Sequence, residues 1–440
     1  MFEILTWWRR FTASPRFLYG PPGFFGFLWY LELEHWIASC YSIRRMSLRR
    51  NIRLLILFQF LVEFRLYAAV LVIYFAQVTG SYALAMSVLS VGMIAAAAFE
   101  VPTGIFSDLV GRRNTVVLGA IASILFVFFY AIGGSFLMLA IGAVFEGLSR
   151  ALWSGNNDAL LYESVESKNP EDGFSKYSGK SQSAGQAALA ICAVLGGIVA
   201  TFSLSLVMWL TLIPQVIAFF VSLFLLEPKT HSQKSGNIYF HLSESIRQFR
   251  ENYKLRLVSL NSILKFAFGE TSFQFKPVFI NSLWPLWAVG VAHTLSFVGG
   301  SVSFYFSGYF IRKFGALKVL IGELVFSRVL NFVALLFPTI VSPVLMSATS
   351  LTYGAGQVAN STLMQKEFTR EQRATLGSIN SLAASMAFAV VSFLVGLFAD
   401  QIGPVRTLLI AQFVLVLPLW IYWRIFKHEK LDYTSLYGKD

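Results

Sequence analysis

The chain has 440 residues, of which 56% are hydrophobic and only 13% charged, and phenylalanine alone fills 43 positions. Soluble domains carry about 25% charged residues, so one or two soluble cores are excluded and a polytopic membrane protein is the class that can place this much apolar surface. Two distant cysteines, Cys40 and Cys192, and five histidines without ligand spacing support neither a disulfide framework nor a metal site, and no cofactor is expected.

The first segment, 1–51, reads as a cytoplasmic or interfacial extension. Its stretch FLYGPPGFFGFLWYLELEHW is aromatic and broken by Pro and Gly, a poor span but suited to the membrane interface. A second reading takes Met46 as the native start, since MSLRRNIRLL reads as an ordinary basic lead-in; on that reading residues 1–45 are dispensable.

Crossing the apolar core takes roughly 20 helical residues. Apolar runs between polar breaks give twelve predicted spans, an all-α arrangement of six plus six. Spans one to six are placed at 52–78, 82–108, 114–133, 135–162, 175–201 and 203–226, within a bundle at 52–227. A cytoplasmic linker at 228–254 follows, with an amphipathic helix in IYFHLSESIRQFRENY. Spans seven to twelve are placed at 256–281, 283–311, 316–337, 339–366, 373–399 and 405–425, within a second bundle at 255–426, and 427–440 is a cytoplasmic tail. With the N-terminus inside, nearly all Lys and Arg fall on inward loops, tails and helix ends, and Arg406 alone lies on the outward side. This positive-inside pattern accounts for the net charge of +12 through contact with anionic lipid, so no nucleic-acid partner is expected.

A charge at mid-membrane costs at least about 2.5–3.5 kcal/mol on insertion scales and is a functional candidate by default. Span one carries Glu63 and Arg65; two residues apart on a helix is about 200° of rotation, so they are not expected to face each other. Span four carries Glu146 and Arg150, four apart and able to pair. Span seven carries Lys265, Glu270 and Lys276, the last near the outer end and expected to snorkel. Span nine carries Glu323 and Arg328, read as structural. Span ten offers Tyr353, Gln357 and Asn360.

Span two runs into FEVPTGIFSDLVGRRN, where Gly104, Asp108, Gly111, Arg112 and Arg113 crowd a turn. The glycines allow a tight reversal and close helix approach. GIFSDLVG at 104–111 aligns with GYFIRKFG at 308–315 at an offset of 204, which also places Asn156 on Asn360 and Glu163 on Glu367, so the halves read as a repeat. The second copy has Arg312 in place of the acid.

Gly104-Ile-Phe-Ser-Asp108-Leu-Val-Gly111-Arg112-Arg113 resembles the loop motif of the major facilitator superfamily, and with FEVPTG and SGNNDALLYES (154–164) it is similar to a bacterial drug- and sugar-efflux branch. The resemblance spans about 50–427. It implies two six-helix bundles around a central cavity lined by spans one, four, seven and ten. It implies a small-molecule substrate and a monomer in the cytoplasmic membrane with both termini inside. It also implies a cytoplasmic gate: Asp108 would meet Arg373, and Arg113 would meet Asp158 or Glu163.

Glu63, Arg65, Glu146, Arg150, Lys265, Glu270, Gln357 and Asn360 are therefore the expected substrate or proton site. Proton coupling needs a carboxylate that alternates between dry and cation-paired surroundings, with Glu63 and Glu146 first and Glu270 next. The family's basic residue four before a span-four glycine is Ala143 here, and span five has no Gly-Pro pair. Both departures count against drug export. The expected function is secondary active transport of a small organic solute by alternating access, with proton-coupled efflux as the first mode. Uptake or uniport of an organic anion or sugar derivative, and a non-transporting sensor or scaffold, are the alternatives. GFSKYSGKS (173–181) mimics a phosphate loop but is one residue too long and follows no strand. No hydrolase constellation exists, so no enzyme is expected.

Overall fold

The computed structural model describes residues 50–166, 174–227, 252–367 and 373–424. Ile52–Asp440 is one contact unit, separate from Met1–Asn51. The predicted N-terminal extension, linker helix and tail lie outside the described residues.

Every predicted span coincides with helix. Spans two, three, five and six are Tyr82–Val110, Arg112–Ile132, Phe174–Phe202 and Leu204–Leu223. Spans seven, eight, nine and eleven are Tyr253–Leu283, Leu286–Phe314, Ala316–Leu336 and Arg373–Ile402. The others are interrupted. Span one is helical at 52–62, irregular at 63–65, a 3-10 turn at Leu66–Ala69, then helical at Leu71–Thr79. Span four breaks between Phe136–Trp153 and Asn156–Glu166, span ten between Ser342–Ala348 and Ser350–Glu367, and span twelve after Pro404–Val414. No strand occurs among the described residues.

Nine of the described helices are long and apolar enough to cross a membrane. Spans one, seven and ten are outside that set. Two are cut short by their breaks, and span seven is diluted by Lys265, Glu270 and Lys276. Helices that face lipid all round can be uniformly apolar, whereas those that line a polar interior cannot.

Serines set one end of the bundle. Ser81, Ser135 and Ser203 cap spans two, four and six, their hydroxyls accepting from the amides of Leu84, Met138 and Leu206. At the opposite end the motif turns use glycine in a conformation that side chains avoid: Gly111 has φ 92° and ψ 152°, and Gly315, one repeat later, has φ 83° and ψ 150°. The repeat is thus kept in the backbone even where Arg312 has replaced the acid.

Within the first half, spans two, three and four pack together and span six packs on span three; in the second, spans eight and nine pack on ten, and seven on eleven. The halves join chiefly along two pairs, two with eleven and five with eight. Among the described residues, the hydrogen bonds across this junction all lie nearer the Ser81 face. Asp400 accepts from the Ser81 hydroxyl (2.5 Å) and from the amides of Tyr82 (2.7 Å) and Ala83 (3.0 Å). Ser90 donates to the Ala389 carbonyl (2.7 Å), Ser392 to Met86 (3.1 Å) and Thr294 to Ala190 (3.0 Å). Backbones touch there as well: a Cβ on Gly290 would strike the Ala193 carbonyl, and one on Gly396 the Tyr82 carbonyl. Toward the Gly111 face, Val101, Ile105 and Leu109 of span two are exposed.

Candidate functional site: a charged cluster at broken spans

The interruption of span one falls on its two charges. Arg65 sits in extended backbone, φ −111° and ψ 91°, which turns its side chain back toward Glu63, with Nε 3.8 Å from the carboxylate. The expectation that these residues cannot meet is therefore corrected: the helical rotation it assumed does not exist at 63–65. At the break the Leu61 carbonyl keeps the Phe64 amide at 3.1 Å, and side chains reach both the Leu61 and Val62 carbonyls. Arg65 Nε donates to Val62 (3.1 Å), and the Gln215 carboxamide of span six donates to Leu61 and Val62 (both 3.3 Å). Ser123 holds Gln215 in place by donating to its oxygen at 2.7 Å. Broken membrane helices persist where neighbours satisfy the released backbone in this way.

Glu146 and Arg150 pair as their spacing predicts, at 2.9 Å. The second Glu146 oxygen accepts from the buried Tyr130 hydroxyl at 2.8 Å. Arg65 lies within electrostatic reach of Glu146 and Tyr67, so spans one and four share one group of two acids and two arginines. Glu146 is buried, while the Arg150 side chain is 46% exposed and that of Glu63 26%. Gly185 of span five faces it: a Cβ there would lie 3.2 Å from Glu63 Cγ.

The second half is organised differently. Lys265 is bound to Glu323 of span nine at 2.8 Å, so a residue read as structural is the partner of an expected site residue. Glu270 accepts from Gln274 (2.8 Å), and Gln357 donates to the exposed Tyr353 hydroxyl (2.8 Å). Asn360 is buried, donating to Ser262 (3.2 Å) and accepting from Tyr422 (2.9 Å), so it ties spans seven, ten and twelve together. Lys276 does not snorkel. It is 7% exposed and donates to the Met346 carbonyl, beside the break in span ten, at 3.1 Å.

At the motif turn, Arg112 takes Glu163 at 3.1 Å, while Arg113 donates to the Leu223 carbonyl at 2.7 Å. The expected partner of Glu163 was Arg113. Arg113 is instead drawn to the end of span six, where Glu227 caps span three by accepting from the amides of Arg112 (2.8 Å) and Arg113 (2.6 Å). Asp158 is exposed and in no ion pair among the described residues, and Gly104 is open. The Asp108 and Arg373 side chains lie outside those described.

The sequence reading missed Tyr130, Gln215, Glu227 and Asp400. The first two are single polar residues on apolar helices and carry no local signal. Asp400 did carry one: Gly396-x-x-x-Asp400-x-x-Gly403 repeats the spacing of Gly104, Asp108 and Gly111, and Gly403 has the same backbone form, φ 85° and ψ 158°.

A sequence model described as Major Facilitator Superfamily matches residues 54–386. Two solved structures of the nucleoside transporter NupG superpose with TM-scores of 0.74 and 0.73 at 15% identity, covering 86% of this chain and 100% and 99% of theirs. A bacterial homologue of the human lysosomal transporter Spinster, inward-facing and unoccupied, superposes with a TM-score of 0.66 at 14% identity, covering 87% of this chain and 96% of its own. No curated protein matches the sequence.

Proposed function

The chain belongs to the major facilitator superfamily, and from that premise we propose that it is a secondary active transporter which carries a small polar or charged organic solute by alternating access. The observation that supports this best is the shared charge group of spans one and four. A scaffold has no use for two acids and two arginines gathered at a broken helix and partly exposed. The half-exposed Arg150 is the group placed to take an anionic or hydrogen-bonding part of the solute, with Glu63 and Arg65 opposite it. Glu270, Gln357 and Tyr353 are the contributions we assign to the second half.

Alternating access then consists of parting the Ser81 face while the Gly111 face closes. With the N-terminus inside, as the basic loops favour, the protein is a multi-pass protein of the cytoplasmic membrane facing inward. Proton-coupled efflux is the mode assigned to Glu63 and Glu146, because each acid sits beside an arginine that could hold it charged in one state and leave it in the next. Uptake of an organic anion is the second reading, favoured by the cationic, half-exposed Arg150. The deciding experiment is a solute screen in proteoliposomes, nucleosides and sugar acids included, with and without an imposed pH gradient. Saturable flux lost in Arg150→Gln supports the site. Flux driven by the pH gradient and abolished in Glu146→Gln supports coupling. Saturable flux that both variants retain at full rate removes the cluster from the mechanism.

A further inference from the structure

A second group of buried charges lies in the other half, apart from the cluster above. Lys276 of span seven, His293 of span eight and Arg328 of span nine lie at a similar depth. Lys276 is seven residues from the Ser81-face end of its helix, His293 seven from the start of its own, and Arg328 eight from its end. At 1.5 Å per residue each is roughly 11 Å inside that face. Phe273 links the first two, its ring 5.5 Å from Lys276 Nζ and 5.2 Å from the imidazole. Lys276 and Arg328 are near enough to repel one another.

The group has no acid of its own: Glu323, on the same helix as Arg328, lies within electrostatic reach of it but is already paired with Lys265. Among the described residues neither Lys276 nor Arg328 has a carboxylate within ion-pair distance. Lys276 has only the Met346 carbonyl, and Arg328 binds the Gln412 oxygen. Arg328 Nε, both nitrogens of His293 and the Asn331 oxygen are buried without a partner. His293 is only 3% exposed. Buried polar atoms in native proteins almost always have a partner, and buried cations are paired. A water molecule could serve the neutral atoms, but it would leave two cations unbalanced at that depth. A compact anion would balance the charge and take hydrogen bonds from Lys276, Arg328 Nε and an imidazole N–H together.

From this arrangement we propose that Lys276, His293 and Arg328 form a binding site for a small monovalent anion, a halide or a carboxylate group, near the Ser81 face of the second half. The site is distinct from the Glu63–Arg150 cluster and requires no transported solute, so it stands or falls independently of the transport reading.

The test uses the full-length protein in detergent micelles. Sodium chloride and sodium acetate are each titrated against sodium isethionate, a bulky sulfonate, at constant ionic strength, with thermal midpoint and tryptophan fluorescence as readouts. Trp284 ends span seven and reports locally, its indole N–H donating to the Ile340 carbonyl at 2.7 Å. A saturable rise with chloride alone indicates a halide-sized site; a rise with acetate as well indicates that a carboxylate enters. Lys276→Gln and Arg328→Gln should each weaken half-saturation by about tenfold or more, the effect of losing one hydrogen bond to a charged group. Lys318→Gln, on the exposed side of span nine, should respond as the parent does. If either core variant fails to fold, His293→Phe keeps both cations and should weaken the response too. The proposal is overturned if neither chloride nor acetate moves either readout in the parent at constant ionic strength, or if the core variants titrate like the parent.

Discussion

The Gln215 carboxamide donates to the carbonyl of Val62 at 3.3 Å, so a polar side chain of span six completes the backbone of span one at its break. Gln215 is fully buried and takes a 2.7 Å hydrogen bond from Ser123. Gln215→Leu would leave the buried Ser123 hydroxyl unsatisfied, at about 1–3 kcal/mol, while Leu61 keeps the Phe64 amide and Val62 keeps Arg65 Nε. The variant should insert but melt at a lower temperature. An unchanged thermal midpoint would mean that the break does not depend on span six.

Glu146 and Arg150 should behave as a unit. Removing one partner of a buried pair strands the other and costs about 3–5 kcal/mol, whereas removing both is much milder. Here Arg150 is half exposed, so Arg150→Gln should lie below that range and Glu146→Gln, which strands Arg150 and unsettles Arg65, should be the worse of the two. The double variant should recover stability but not transport. Additive losses across the four proteins in a double-mutant cycle would show that the pair is not coupled.

Lys265 and Glu323 offer a sharper case, because both are largely buried and 2.8 Å apart. Lys265→Glu or Glu323→Lys alone should abolish folded yield, and the exchange of both should restore it. Size-exclusion profiles of the three variants decide the matter; a swap that remains aggregated would assign these residues to functions beyond their mutual contact.

Asp400 joins the halves through the first turn of span two. Asp400→Asn keeps a capping oxygen but loses the charge, and one charge-assisted bond is worth about 1.5–3 kcal/mol. The equilibrium should move toward the state parted at the Ser81 face. Spin labels at Ser135 and Thr339, both near that face in opposite halves, should show a longer mean distance than in the parent. Identical distance distributions in the two proteins would exclude Asp400 as a latch.

The span pattern was legible because hydrophobic runs of about 20 residues admit few other readings, and the Gly111 turn because its motif carries its own backbone demand. Pairing at helical spacing, Glu146 with Arg150, was legible for the same reason. Wherever helical periodicity failed, the reading failed with it. The break at 63–65 brought Glu63 to Arg65 against the wheel geometry. Partners from distant spans, Tyr130 for Glu146 and Glu323 for Lys265, depend on packing that no local pattern encodes. Lys276 looked like a snorkelling residue because its distance from the helix end was visible, while the neighbouring helices that bury it were not.

The glycine contacts at the junction bear on how easily the two halves can move. Gly290 lies on the Ala193 backbone and Gly396 on that of Tyr82, so main chain meets main chain at these points of a seam that side chains such as Met86, Phe275 and Val395 otherwise fill. At those two points the halves can separate and meet again without rotamer changes. Bulk added at Gly290 or Gly396 would act as a wedge, holding the molecule ajar on one side of the bilayer while each half stayed intact.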